Sequence, residues 1–207
     1  MMKARLLVAL VALATVSSAS AETMNGAASS ALHADNARVD ACFTPGDACD
    51  DMLGDAIDKA QRQILVQAMF FSNKKLMRGL ANAHKRGVDV KMIMSIGSEK
   101  KRSKNLLYFM KQGIPILIDA NVKTQHNKVM IIDNAEVFTG SYNFTYSAQR
   151  KNAENMVRIT DSPEVVSSFV NNWKRRAAAS RPVDLKARDA GKSVGDSDVD
   201  TEEDDAE

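Results

Sequence analysis

The stretch TQHNKVMIIDNAEVFTGSYNFT, from Thr124 to Thr145, carries five residues whose types could do chemistry: His126, Lys128, Asp133, Ser141 and Asn143. In an extended strand residues two apart share a face, so His126 and Lys128 are expected to point one way, and Asn127 and Val129 the other. An imidazole acts as nucleophile or as general acid and base near neutral pH. An ammonium beside it stabilises charge on phosphoryl oxygens. Ser141 and Asn143, again two apart and just after Gly140, aim a hydroxyl and an amide at the same oxygens. These residue types at this spacing describe a phosphate-handling site; the plainer alternative is a half-buried hairpin that carries polar residues.

Such a site needs strands to hold it, and the surrounding sequence supplies them. HNKVMIID and AEVFTG flank Asp133-Asn134, which reads as a hairpin turn. Upstream, helical composition at Asp51 to Gln63 leads into the apolar run QILVQAMFF (Gln63 to Phe71), suited to a buried strand. A helix over Lys74 to Arg86 is ended by Gly87, followed by the strand VDVKMIM (Val88 to Met94). A helix around Asn105 to Gln112, ended by Gly113, precedes the strand IPILID (Ile114 to Asp119). AENMVRIT (Ala153 to Thr160) is a further strand, and a last helix opens with Pro163 in its first turn. Strands alternating with helices predict an α/β fold: a mixed, mostly parallel sheet with helices on both faces.

The two ends differ from this body. Lys3 and Arg5 precede the apolar run Leu6 to Val16 and then Ala19-Ser20-Ala21, the pattern of a secretory signal at residues 1–21 cleaved after Ala21. That run has 11 residues, well short of the roughly 20 a helix needs to cross a bilayer. Periplasmic or secreted location follows as an expectation. Residues 22–40 read as a flexible lead-in, 41–178 as the catalytic domain and 179–207 as a disordered tail, acidic from residue 195. Removing the leader's two basic residues and the tail's eight acidic ones leaves 26 basic against 18 acidic residues, so a whole-chain charge of +2 hides a basic body suited to polyanions.

An oxidising compartment makes Cys42 and Cys49, in CFTPGDAC, candidates for a disulfide across a Pro-Gly turn, with two free thiols as the alternative. No neighbouring Cys or His completes a metal's usual ligand set, and neither metal nor cofactor is expected. Phe70 and Phe71 read as core rather than as a base-stacking pair. The basic link Lys100, Lys101, Arg102 and Lys104 suits either solvent or a nucleic-acid backbone. Trp173 reads as core or dimer interface.

The spacing His126-x-Lys128, four residues, Asp133, six residues, Gly140-Ser141-x-Asn143 resembles the signature of the phospholipase D superfamily. NAEN (Asn152 to Asn155) is similar to the family's downstream acidic motif, and Ala41 to Lys174 resembles its small bacterial secreted endonucleases. The resemblance implies a phospholipase D-like fold and a metal-independent phosphodiesterase. His126 would attack phosphorus to form a phosphohistidine. Lys128 and Asn143 would hold the non-bridging oxygens with help from Ser141, and Glu154 would accept a hydrogen bond from His126. Asp133 belongs to the signature and would join the catalytic set, with a structural part on the hairpin turn as the alternative.

Double displacement also needs an acid for the leaving oxygen, and the chain has one signature. His33 lies in the lead-in, and His84 is followed directly by Lys85. The small family members pair two chains, which implies a homodimer with His126 from each subunit in one site. Nucleic acid, DNA or RNA, is the expected substrate. Phospholipid head groups are the alternative, and a non-catalytic nucleic-acid-binding protein is the third reading.

Overall fold

A computed structural model describes residues 36–100 and 104–184. The leader, most of the lead-in, His33, the acidic tail, and Lys101 and Arg102 of the basic link lie outside the described residues. In chain order the elements are β1 (Arg38–Thr44), α1 (Cys49–Lys59), β2 (Gln63–Ala68), α2 (Lys74–Lys85), β3 (Asp89–Ser95), α3 (Ile96–Lys100), α4 (Lys104–Lys111) and β4 (Ile116–Asp119). They continue with β5 (Val129–Ile132), β6 (Glu136–Gly140), α5 (Tyr146–Arg150), β7 (Glu154–Thr160), α6 (Pro163–Ala179) and β8 (Arg181–Pro182). The described strands form one sheet in the order β1-β7-β6-β5-β2-β3-β4-β8.

Helices cover both faces, as expected, but the sheet is mixed with mostly antiparallel pairing. Among the described strand pairs, only β2–β3 and β3–β4 run parallel. Those are the two places where helices cross over between neighbouring strands, the connection that parallel pairing requires. The hairpin β5–β6 reverses the chain instead, and β7 returns antiparallel beside β6. Asp133 and Asn134 make the hairpin turn at φ of 55° and 54°, with Ala135 N donating to Ile132 O at 3.0 Å, the geometry whose twist matches flanking strands.

Alternation along the central strands divides the core in two. Ile64, Val66, Met130, Ile132 and Phe138 face α1, α2 and α4, where they meet Leu53, Ile57, Leu80 and Phe109. Leu65, Ile93, Val129, Ile131 and Val137 face Val166, Val170 and Trp173 of α6. Trp173 is thus core, and its indole N–H donates to Val66 O at 3.1 Å. Phe71 is also core, with its ring centroid 5.2 Å from those of Phe109 and Phe144. Truncating such a buried ring costs about 3–5 kcal/mol.

Two boundaries differ from the sequence reading. β1 starts at Arg38, inside the segment read as lead-in, because its register along β7 runs from Arg38 opposite Thr160 to Thr44 opposite Glu154. β8 pairs with β4 beyond residue 178, where Arg181 bonds the carboxylate of Glu99 and Asp184 N donates to it at 2.6 Å. Cys42 and Cys49 form a disulfide that joins the end of β1 to the start of α1.

Candidate active site

Register decides which residues meet. Val129 pairs with Thr139 across the hairpin, so His126 to Lys128 before β5 and Ser141 to Asn143 after β6 lie beyond the same end of the sheet. Gly140 pairs with Met156, which brings Glu154 and Asn155 at the start of β7 to that end as well. Gln67 of β2 pairs with Val129 and completes the row.

His126 and Lys128 precede the strand rather than lying in it, and their side chains turn towards each other. The Lys128 Nζ stands 3.1 Å from both His126 ring nitrogens and donates to the His126 carbonyl at 2.9 Å. Lys128 is only 6% exposed, whereas His126 is exposed. A buried ammonium is costly unless bonded, and this one is held against the ring.

Alternation after Gly140 explains how Ser141 and Asn143 are presented. Tyr142 and Phe144 are each 1% exposed and anchor the segment in the core, leaving Ser141 exposed and Asn143 half-buried between them. Phe144 O accepts from Ser72 N and Asn73 N at 2.9 and 3.0 Å, and Tyr142 OH donates to Gln149 Oε1 at 3.0 Å. Burial raises the Tyr142 pKa, so its hydroxyl stays a donor. Asn143 Oδ1 is buried with no hydrogen-bond partner.

Gly140 has a specific reason to be glycine. Its φ is +152°, and a Cβ there would stand 2.3 Å from Asn155 O. That contact is close because Ser141 N and Tyr142 N both donate to Asn155 O, at 3.1 and 3.2 Å, while Asn155 N donates to Ser141 Oγ at 3.0 Å. Asn155 therefore clamps the backbone that carries Ser141.

Two of the expected site residues make other contacts in the single chain. Glu154 does not bond His126 in the single chain; it starts β7 opposite Thr44, and its carboxylate accepts from Asn152 Nδ2 at 3.4 Å. Asp133 is not brought to the site, since β5 separates it from Lys128 by about 17 Å along the strand. Its carboxylate instead accepts from the backbone N–H of Gln61, Arg62 and Gln63 at 2.7–2.9 Å, tying the α1–β2 loop to the hairpin. Burial would raise its pKa, but those three donors outweigh burial and hold it below the usual 3.8.

His84 lies in the last turn of α2, just before β3 begins, at the end of the sheet away from His126. Gln67 and Gln125, which the sequence did not single out, and Asn127, expected only to face away, bond one another around His126. The signal was present in the polar Gln67 that interrupts the apolar run ILVQAMFF.

Residues 53–177 match the family described as "Cardiolipin synthase, PLD-like domain". A phospholipase D of Rickettsia conorii is 37% identical over 142 residues, 69% of this chain and 70% of that protein. A phospholipase D family member from Salmonella typhimurium, Nuc, superposes with a TM-score of 0.66 at 35% identity, covering 71% of this chain and 98% of that one. NucT from Helicobacter pylori superposes with a TM-score of 0.64 at 19% identity, covering 71% and 99%, a likeness of fold. The signature residues, the sheet that gathers them and these relatives converge: the chain belongs to the phospholipase D superfamily and is a phosphodiesterase of that family.

Proposed function

We propose that the protein is a secreted or periplasmic endonuclease of low sequence preference that works through a phosphohistidine on His126. The observation that carries the reading is the Lys128 ammonium held against the exposed His126 imidazole, at the end of the sheet where Ser141 and Asn143 also stand. A His126 ring nitrogen attacks phosphorus, and the bond from phosphorus to the leaving oxygen breaks as that oxygen takes a proton. Water then attacks phosphorus, the P–N bond breaks and a phosphate monoester leaves. Lys128, Asn143 and Ser141 stabilise the non-bridging oxygens. Glu154, which starts β7 at the same end of the sheet, serves this group in the assembled site.

A second copy supplies the second proton-transfer group, since among the described residues the other histidine, His84, lies at the other end of the sheet. A twofold homodimer with one His126 from each chain meets that need. The basic body supports a polymer of phosphates as substrate.

A phospholipid substrate is the second reading. It is favoured by the name of the rickettsial relatives, and by the exposure of Val39 and Phe43 on one face of edge strand β1, apolar side chains that a lipid surface would cover.

Mature protein is incubated with plasmid DNA, RNA and phosphatidylcholine vesicles, with and without EDTA, beside His126→Ala. Nicking of nucleic acid that persists in EDTA and disappears in the variant supports the proposal. Hydrolysis of lipid alone supports the second reading, and activity abolished by EDTA and restored by a divalent ion contradicts the mechanism.

A further inference from the structure

The residues that present His126 are held by side chains as much as by the sheet. Thr124 to Lys128 lie outside any strand. Gln125 Oε1 accepts from Asn127 N at 3.0 Å, closing a tight local turn around His126. Asn127 Nδ2 in turn reaches Gln67 Oε1 at 3.5 Å, across to the end of central strand β2.

Gln67 and Gln125 are conspicuous by where they lie. They are 1% and 3% exposed, and each leaves a buried Nε2 without a partner. An unpartnered buried amide destabilises a fold, and an apolar side chain of similar shape at Gln67 would continue the core of Leu65 and Ile93 below α6. Residues that lower stability in this way concentrate where function requires them.

We infer that Gln67 is a positioning residue, which sets the backbone of His126 through Asn127 with Gln125 closing the turn. Gln67 acts through a rigid support: its pairing with Val129 and Ile93 fixes it in the sheet, and the Trp173 indole bonds the carbonyl of Val66 beside it. Strand β2 thereby fixes a segment that has no ladder of its own. The inference rests on the reading of His126 as nucleophile and is independent of whether the substrate is nucleic acid or lipid.

The test compares Gln67→Met, Asn127→Ala and the double variant with wild type in the full chain. Turnover of bis(p-nitrophenyl) phosphate is measured together with melting temperature, emission of the single tryptophan, Trp173, and the NMR resonance of the His126 ring. In Gln67→Met, kcat is expected to fall about tenfold, the loss of one modest positioning contact, with KM within about twofold. The melting temperature stays equal or rises, and Trp173 emission is unchanged. The His126 resonance broadens or shifts while that of His84 does not. The double variant loses no more than Asn127→Ala, because both residues act through one contact.

An unchanged kcat with an unchanged His126 resonance overturns the inference. So does a loss of activity accompanied by a lower melting temperature and shifted Trp173 emission, since Gln67 would then be structural. If wild type turns over no phosphodiester, the proposed function fails, and the His126 resonance still decides the positioning role.

Discussion

The Nζ of Lys128 stands 3.1 Å from both ring nitrogens of His126, although Lys128 is buried and His126 is exposed. The burial fixes the cation, and the exposure leaves the imidazole able to meet a substrate phosphorus. A phosphate on His126 would carry its oxygens to the ammonium without any movement of the lysine, the preorganisation that makes such groups effective.

Lys128→Met is therefore expected to lower kcat by about 10²–10³, the loss of one preorganised charge-stabilising donor, with a smaller change in KM. Lys128→Arg should not restore it, because a planar guanidinium does not occupy a buried ammonium site. Steady-state kinetics on a small phosphodiester checks both.

Asp133 separates structure from chemistry within the signature. Asp133→Asn removes charge from three backbone hydrogen bonds and should cost about 1–3 kcal/mol in urea unfolding, with kcat within about twofold. The folded pKa of Asp133 lies below its unfolded value near 3.8. Its contribution is thus fully present above about pH 4–5 and is lost as pH falls through the folded value. The stability gap between wild type and variant should narrow below pH 4 and stay constant above it; a gap that widens in acid contradicts this account.

Gly140→Ala should unfold the protein or abolish turnover, because a Cβ at 2.3 Å from Asn155 O forces β6 from β7 and displaces Ser141. Gly87→Ala is the control. Its φ is +93° with nothing within 4 Å of an added Cβ, so only the backbone strain of a left-handed cap, about 1 kcal/mol, is expected. Thermal melts and activity of the two variants distinguish a steric clamp from a glycine that serves only as a helix stop.

The disulfide closes a short loop between β1 and α1, with a sequence separation of 7. On loop length alone its removal in Cys42→Ser/Cys49→Ser should cost about 2–3 kcal/mol. Denaturant titration of the oxidised protein and the variant measures the difference, and equal midpoints would show that the bond adds nothing.

Much of this site was legible in the sequence because it depends on local spacing. Ser141 and Asn143 emerge from alternation with Tyr142 and Phe144, and the turn at Asp133-Asn134 has residues that tolerate positive φ. The sense of the sheet was less legible. The helix–strand rhythm from Gln63 to Asp119 is parallel as expected, but nothing local states that β2 takes β5 as its other neighbour, antiparallel. Asp133 shows the same limit: membership of a signature does not say which end of a strand a side chain occupies or what it bonds. Gln67 needed the fold as well, since only the register brings it to Asn127.

The central claim is that His126 forms the covalent intermediate with a nucleic-acid phosphate. Protein mixed with both an oligodeoxynucleotide and phosphatidylcholine vesicles, quenched in alkali during turnover and analysed by peptide mass spectrometry, tests it directly. The account predicts a nucleotide adduct on the peptide carrying His126, absent in His126→Ala. A lipid phosphate on His126, an adduct on another residue, or turnover with no adduct would contradict it.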